Sequence, residues 1–442
     1  MSPRTKKLFQ YVLPTILSQV SFFLFTIIDG IFVGQGIGTD ALGAINMVFS
    51  FVMLCNALFM LATIGGVTVT AIRLGRGDTE GANLAFRHGM MFTVLFAVAL
   101  NCLGFFGADP LCRIMGSNET YHTMMRDHLR VYSLFIIPSG LGQALNGFAR
   151  NDGSPLLVSG AVIASTVLNI FGDWLFVFPL HMGLAGAAWA TGISQSVSML
   201  ICLTHFLRRK GCLHFGRFQL NGAQCRKILL RGSPEAISQF ATPVATLWTN
   251  RVLMAQVGSV GVNAFGVICY VASFSVAIFY GAAQGLQPLF GQSYGAKKED
   301  DLKFYFRTGM LICLIGSALI TLLLCLGCGG ICALFGTDAQ TLEFTVWALP
   351  QYAWGFVVMA QNTMISSYLY STKRSRQAIL INTLRSFVVD TLVILLLPPC
   401  SAPGSSGTPL AFTRGWCSSW HGSYSSAPSG TVFSPPHNSA AG

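Results

Sequence analysis

Three carboxylates lie inside long apolar stretches of the chain: Asp29, Asp173 and Asp390. The chain has 16 acidic residues, and most of the others lie in polar stretches between the apolar ones. Placing a carboxylate near the centre of a bilayer costs about 2.5 to 3.5 kcal/mol on insertion scales. Carboxylates in such positions indicate a functional site and need polar partners.

Asp173 has two such partners in the sequence. Asn169 lies four residues earlier and shares its helix face, and Thr191 lies in the next apolar stretch. Two carboxylates, an amide oxygen and a hydroxyl in an apolar setting can carry a proton or hold Na⁺. We therefore predict a cation-coupling site formed by Asp29, Asn169, Asp173 and Thr191. The alternative is that Asp29 caps a helix broken at Asp29-Gly30 and that Asp173 only bonds Asn169.

Asp390 is accompanied by the two embedded cations of the sequence, Arg385 and Arg251. A carboxylate beside a buried guanidinium can simply neutralise it. These three residues define a possible polar site in the second half of the chain, with a structural role as the alternative.

The composition is that of a polytopic membrane protein. Hydrophobic residues make up 52% and charged residues 10%, against roughly 25% charged residues in a soluble domain, and the mean hydropathy is +0.60. Runs of about 20 apolar residues, long enough to cross a bilayer, predict an all-α fold of eleven spans. They lie at 12–34, 45–71, 86–108, 128–149, 155–179, 183–206, 232–256, 264–291, 304–334, 343–370 and 376–397.

Residues 1–179 and 221–397 repeat one pattern at an offset of 220. The clearest block is Gly75, Phe86, Arg87, Gly89 and Met90, which returns as Gly295, Phe306, Arg307, Gly309 and Met310. In a membrane chain, such duplication predicts a transporter of two homologous lobes with its site between or within them. We expect an N-terminal lobe at 1–206, a cytoplasmic connector at 207–231, a C-terminal lobe at 232–397 and a tail at 398–442.

The tail departs from this pattern. Residues 398–442 contain seven of the 17 prolines and no apolar run of about 20 residues, which predicts disorder. The first copy continues beyond Asp173 into a sixth span, whereas the second copy ends soon after Asp390. We interpret the tail as out-of-frame translation that replaces a twelfth helix, which leaves open whether the product folds and transports.

The net charge of +11 is explained by the positions of the basic residues. The loops on one side of the predicted spans hold Arg4, Lys6, Lys7, Arg73, Arg76, Arg87, Arg150, the connector cations, Lys297, Lys298, Lys303, Arg307, Lys373, Arg374 and Arg376. The opposite loops hold only Arg113, Arg126 and Arg130. The positive-inside rule therefore places the N-terminus and connector in the cytoplasm, and we expect a multi-pass cell-membrane protein that binds no nucleic acid.

Several motifs resemble those of the multidrug and toxic compound extrusion (MATE) transporters, in the prokaryotic MepA- and DinF-like branch. They are residues 146–153 (NGFARNDG), 169–173 (NIFGD) and 183–191 (GLAGAAWAT) in the first half, with Gln287-Pro288 and residues 294–298 (YGAKK) in the second. The resemblance implies two six-helix lobes around a central cavity. It also implies export of organic, often cationic, molecules driven by inward H⁺ or Na⁺.

In that branch the cation site lies in the first lobe and maps onto Asp29, Asn169, Asp173 and Thr191. Another branch uses acidic residues in the middle of spans seven and ten. In this sequence Glu235 and Glu343 lie where the predicted spans begin, which favours the first-lobe site.

We therefore predict an H⁺- or Na⁺-coupled drug antiporter that works by alternating access. It is not an enzyme and needs no cofactor, no metal beyond possible Na⁺ and no second subunit. Candidate cavity aromatics for cationic substrates are Tyr132, Phe148, Tyr270 and Tyr280. The alternatives are a flippase of lipid-linked precursors, which would need more embedded cations, and an intramembrane enzyme. None of the eight histidines lies mid-span beside another ligand, which disfavours the enzyme.

Overall fold

The computed structural model describes residues 2–383 except 116, 118, 257–258 and 335–338, and omits some side chains within 39–46, 119–121, 241–271 and 325–354. These residues form helices and no strand, which confirms the all-α prediction. The helices are α1 Pro3–Gly36, α2 Thr39–Gly75, α3 Thr79–Phe106, α4 Ala108–Ile114, α5 Glu119–Leu134, α6 Ile136–Asn151, α7 Pro155–Val177, α8 Gly183–Leu207, α9 Gly222–Gln256, α10 Ser259–Gly295, α11 Glu299–Leu334, α12 Ala339–Ser371 and α13 Ser375–Thr383. The predicted tail at 398–442 lies outside the described residues.

Six of the described helices are long and apolar enough to cross a membrane: α1, α2, α3, α7, α8 and α11. They coincide with the predicted spans one, two, three, five, six and nine. The other five predicted spans fall on α5 and α6 together, α9, α10, α12 and α13. Every predicted span therefore begins on a helix of the described chain.

The predicted fourth span is divided into two helices, α5 and α6, that meet at Phe135. Pro138 explains the break, because a proline ring clashes with the carbonyl four residues earlier and has no N–H to donate to it. The Phe135 ring packs against Trp189 of α8 with centroids 5.2 Å apart, and it occupies the space beside Gly192. The break therefore lies against α8 and redirects α6.

The repeat extends to individual hydrogen bonds at the helix ends. The N–H of Asp78 donates to the Arg73 carbonyl at 3.0 Å, and 220 residues later Lys298 donates to Ser293 at the same distance. The pairs Ser154 to Ala149 and Arg374 to Leu369 repeat in the same way, both at 2.9 Å. These bonds close the C-terminal ends of α2, α10, α6 and α12, which share one side of the protein. We call it the basic side, since its loops hold most of the Lys and Arg residues.

Each of these four ends contains one residue in the left-handed backbone conformation. The first lobe has glycines there, Gly77 at φ 76° and Gly153 at φ 92°. The second lobe has lysines at the equivalent positions, Lys297 at φ 56° and Lys373 at φ 67°. Only glycine adopts this conformation without a steric cost from its Cβ.

We expect Gly77→Ala to lower the free energy of unfolding by about 1 kcal/mol and Lys297→Gly to raise it by a similar amount. Chemical unfolding of the purified protein in detergent measures both. Loss of stability in both variants would show that the Lys297 side chain contributes more than its backbone conformation costs.

The N-terminus of α3 is capped by Asp78. One carboxylate oxygen accepts a hydrogen bond from the Gly81 N–H at 2.8 Å, and the other accepts one from Arg73 at 2.8 Å. These contacts, first the Gly81 bond and then Arg73, hold the pKa of Asp78 below its usual range. The capping contribution is therefore fully present once the pH exceeds the unfolded-state pKa, and it is lost as the pH falls through the lower folded-state value.

Asp78→Ala is expected to cost about 1 kcal/mol of stability at neutral pH, because α3 loses its cap. The free energies of unfolding of the two proteins, measured from pH 7 down to pH 3, should converge as Asp78 in the parent becomes protonated. A difference that stays constant across this range would contradict the capping assignment.

The helix α1 lies between the two lobes. Near its start, Leu8, Tyr11 and Val12 are buried in one apolar cluster with Leu286 and Phe290 of α10. Helix α10 approaches the backbone of α1 at Gly281 and Gly285, where a Cβ would meet main-chain atoms of α1. The other face of α1 packs on α7 of the first lobe, which brings Asp29 towards Asp173.

Candidate functional site

Short polar contacts and small residues position the three helices of the predicted site. The hydroxyls of Ser18 on α1 and Ser159 on α7 lie 2.8 Å apart, and each lies 2.7 Å from the Pro14 carbonyl. On the other side of α7, a Cβ on Gly172 would lie 3.0 Å from the Cβ of Ala190 on α8. Helix α7 is therefore held between α1 and α8, and Gly172 directly precedes Asp173.

Asn169 and Asp173 lie one turn apart on α7 and are almost completely buried, at 1% and 0% exposed. One orientation of the Asn169 amide satisfies both its atoms. Its nitrogen donates to Asp173 Oδ2 at 2.9 Å, and its oxygen accepts from the backbone N–H of Thr191 at 3.2 Å. The Thr191 hydroxyl lies 3.3 Å from the same end of the amide. The amide therefore joins α7 to α8 and orients the Asp173 carboxyl.

Asp29 of α1 is partly buried and is a hydrogen-bond neighbour of Asp173. Helix α1 continues through Asp29-Gly30 to Gly36, so the alternative in which Asp29 caps a broken helix is wrong. Asp173 thus has Asp29 as a neighbour in addition to its contact with Asn169. The structure thus brings together all four residues of the predicted coupling site.

This arrangement has the donor set for a small cation. Two carboxylates contain no proton of their own, so their contact requires a proton or another cation between them. The Oδ1 atoms of Asp29 and Asp173 are both buried and have no hydrogen-bond partner among the described residues. Oxygens of carboxylate, amide and hydroxyl groups are also the ligands that suit Na⁺. The site therefore fits either H⁺ or Na⁺.

The predicted second-lobe site lies largely outside the described part of the chain. Asp390 and Arg385 follow the last described residue, and for Arg251 only the backbone in α9 is described. Their grouping therefore stays a prediction.

The predicted cavity aromatics have different environments. Phe148 has no exposed surface, and its ring contacts Phe86 at 5.0 Å between centroids, so it belongs to the first-lobe core in this conformation. Tyr132 packs in the first lobe, its ring parallel to His128. Tyr280 lies between the lobes, with its hydroxyl 3.4 Å from Met60 Sδ. For Tyr270 the side chain is outside the described atoms.

A buried polar junction between the lobes was not predicted. Arg150, which the sequence analysis counted as a loop cation, is only 7% exposed. Its guanidinium donates to Gln284 Oε1 of α10 at 2.8 Å, and Gln19 of α1 donates to the same oxygen at 3.1 Å. The repetition of Gln19 as Gln239 and the position of Arg150 in the NGFARNDG motif were the available signals. The junction links three helices of both lobes.

Glu235 lies within α9. This helix begins at Gly222, inside the predicted connector, and so extends beyond the predicted span 232–256 that begins just before Glu235. Glu235 is 8% exposed, and Tyr280 and Tyr370 lie beside it. Glu343 is exposed near the start of α12, as expected. The second lobe thus contains a buried carboxylate near the beginning of the predicted seventh span.

The MatE family model matches this chain twice, over residues 14–175 and 234–396. Among curated relatives, a FAD transporter of Shewanella oneidensis is 23% identical over 91% of this chain and 89% of its own length. The multidrug export protein MepA of Staphylococcus haemolyticus is 22% identical over 89% and 86%. The probable multidrug resistance protein YoeA of Bacillus subtilis is 25% identical over 81% and 79%.

Solved structures share the fold. An outward-facing MATE family multidrug resistance transporter aligns with a TM-score of 0.87 and 20% identity, over 96% of this chain and 94% of that one. A MOP superfamily transporter from Pyrococcus furiosus, described as having a binding pocket of reverse polarity, aligns at 0.86 and 20% over 96% and 93%. Because the family model matches both halves, the chain belongs to the MatE family of membrane transporters, as its motifs predicted.

Proposed function

We propose that the protein is a cation-coupled antiporter that exports organic, often cationic, small molecules, with H⁺ or Na⁺ bound by Asp29, Asn169, Asp173 and Thr191. The observation that supports the proposal is the pair of neighbouring carboxyl groups on α1 and α7, each with one buried oxygen that has no hydrogen-bond partner in the described part of the chain. A site that binds a cation and lies on the helix between the lobes can link binding to their relative position.

The contacts of α1 support this linkage. Near its start, Arg4 pairs with Asp301 of α11 at 2.6 Å and Lys7 donates to Gln292 of α10 at 3.3 Å. Both contacts join the lobes on the basic side, which we propose faces the cytoplasm. A change at Asp29 that tilts or bends α1 would therefore act directly on these contacts between the lobes.

Coupling requires that the ion and the substrate favour different facing states, because a ligand that binds both states equally well does not change their ratio. We propose to reconstitute the purified chain in vesicles loaded with ethidium and to impose a pH gradient and a Na⁺ gradient separately. Export that follows one gradient identifies the ion. Absence of export under both gradients would contradict the proposed function.

A second candidate is export of organic anions. Two observations favour it: a relative is a FAD transporter, and the Nε atom of the buried Arg150 guanidinium has no hydrogen-bond partner among the side chains that the structure describes. Flavin nucleotide export from the same vesicles tests it. Binding of a lipid diphosphate, compared with binding of ethidium, separates both candidates from the flippase alternative.

A further inference from the structure

Five cations gather where the two lobes meet on the basic side. Arg73 and Arg76 end α2 of the first lobe, Lys227 and Arg231 lie on the first turns of α9, and Lys373 follows α12. Arg231 lies within electrostatic reach of Arg73 and Arg76, and Lys373 within reach of Arg76, Arg231 and Lys227. Arg73 also donates to Gln224 of α9 at 3.3 Å. We call these five residues the junction cluster.

The junction cluster is poorly neutralised. In the part of the chain that the structure describes, its one ion pair is Arg73 with Asp78, at 2.8 Å. The buried carboxylate of Glu235 lies one turn from Arg231 in α9, whereas Arg76, Lys227 and Lys373 are exposed to solvent. Repulsion between like charges opposes the approach of the lobes that brings them together, unless an anion is bound.

The positions equivalent to the junction cluster under the sequence repeat do not form a second cluster of this kind. Each residue of the junction cluster has an equivalent in the other lobe under the offset of 220. In the order Arg73, Arg76, Lys227, Arg231 and Lys373, the equivalents are Ser293, Ala296, Lys7, Tyr11 and Gly153. Only one of these five is a cation, Lys7, and its charged neighbours are Lys298 and the carboxylate of Asp301. A general excess of basic residues on the inner side of a membrane protein does not produce this asymmetry between equivalent positions.

Lys373 occupies a left-handed backbone position at which the first lobe has Gly153. Lysine is strained in this conformation, whereas glycine is not. Lys297, which is not a member of the cluster, has the same conformation, so the two lysines form a matched pair for testing the cluster.

We propose that the junction cluster binds a phosphate-bearing anion. Arginine guanidinium groups donate paired hydrogen bonds to phosphate oxygens, and lysines add charge. A ligand held there contacts Arg73 and Arg76 of one lobe and Lys227, Arg231 and Lys373 of the other. It therefore stabilises the closed state of the basic side. The phosphate group can belong to an anionic lipid at the membrane surface or to a soluble ion.

Native mass spectrometry of the detergent-purified chain tests the proposal, with phosphatidylglycerol as the anionic probe and phosphatidylcholine as the comparison. We expect preferential binding of phosphatidylglycerol and a reduction of about fivefold in Lys373→Gly. The matched control is Lys297→Gly, which removes the same charge from the same backbone conformation outside the cluster and should bind like the parent. Lys227→Gln, at an exposed position, should reduce binding independently of any backbone change.

Inorganic phosphate at millimolar concentration separates the two sources of the ligand. If it displaces phosphatidylglycerol, the site binds a phosphate group from either source. If it does not, the site is specific for the lipid. Binding of phosphate alone that depends on Lys373 would assign a soluble ligand. Binding of neither probe, or equal losses in Lys297→Gly and Lys373→Gly, would overturn the proposal.

Discussion

Replacing Asp173 with asparagine is expected to abolish gradient-driven export and leave the folded protein intact. Asparagine preserves the volume of the side chain and an oxygen for the contact with Asn169, but removes one of the two charges that a bound cation needs. Loss of a coordinating or orienting group at a cation site typically costs 10- to 100-fold in affinity. Ethidium export from vesicles should therefore fall by at least about tenfold under either gradient.

Asp29→Asn should have an equally large effect, and the double variant should be no worse than either single one. Two residues that act as a unit are not additive, because the first substitution already disables the site. Asp127→Asn provides the control, since Asp127 is an exposed carboxylate in an ion pair with Arg126. It should export like the parent.

Glu235→Gln decides between the two lobes. Glu235 is the buried carboxylate in α9, and its two tyrosine neighbours give it a different environment from that of Asp173. If the first-lobe site couples transport, this variant should retain a gradient response. Loss of coupling in Glu235→Gln together with unchanged export by Asp173→Asn would move the coupling site to the second lobe.

The grouping of the first-lobe residues was accessible from the sequence because carboxylates are rare in apolar stretches. Helical periodicity alone placed Asn169 over Asp173. The contact with Asp29 required more, since α1 and α7 are far apart in the chain. The cost of burying a carboxylate was the argument that predicted a partner, and the structure supplies it.

The errors have a common physical cause. Hydropathy windows average over residues, so they passed over Pro138, which divides the fourth span, and over residues 222–231, where α9 extends through a polar stretch. Assigning residues to loops by charge also concealed Arg150. A single arginine at a helix end can face a neighbouring helix, and only tertiary packing decides whether it does.

The repeat was the most informative feature of the sequence because it relates positions and not just segments. It predicted two lobes, and the equivalent hydrogen bonds at the ends of α2 and α10 show that the relation extends to the backbone. Differences between equivalent positions are informative for the same reason. Gly77 and Gly153 of the first lobe, against Lys297 and Lys373 of the second, are two such differences at one backbone conformation.

Alanine at Gly75 or Gly295 is expected to prevent closure of the basic side. The ends of α2 and α10 cross here, and a Cβ on Gly75 would overlap the backbone carbonyl of Gln292. A Cβ on Gly295 would overlap that of Ile72. The two contacts are equivalent under the offset of 220, so the crossing is symmetric, and neither obstacle is a flexible side chain that could rotate away.

Overpacking of this kind typically costs about 1 to 3 kcal/mol, which would change the ratio of the two facing states by roughly 5- to 150-fold. We expect each variant to remain folded and to export slowly. A cysteine introduced at Thr15, a buried residue beside Gly281, should be alkylated more readily from the basic side in these variants than in the parent. Gly160→Ala is the control, because no atom of the described residues lies within 4 Å of a Cβ there. If Gly75→Ala and Gly295→Ala matched the control in export and in alkylation, the ends of α2 and α10 would have to lie far enough apart in every state to admit a methyl group. The closed side would then be held by the polar contacts of α1 and by the junction at Arg150.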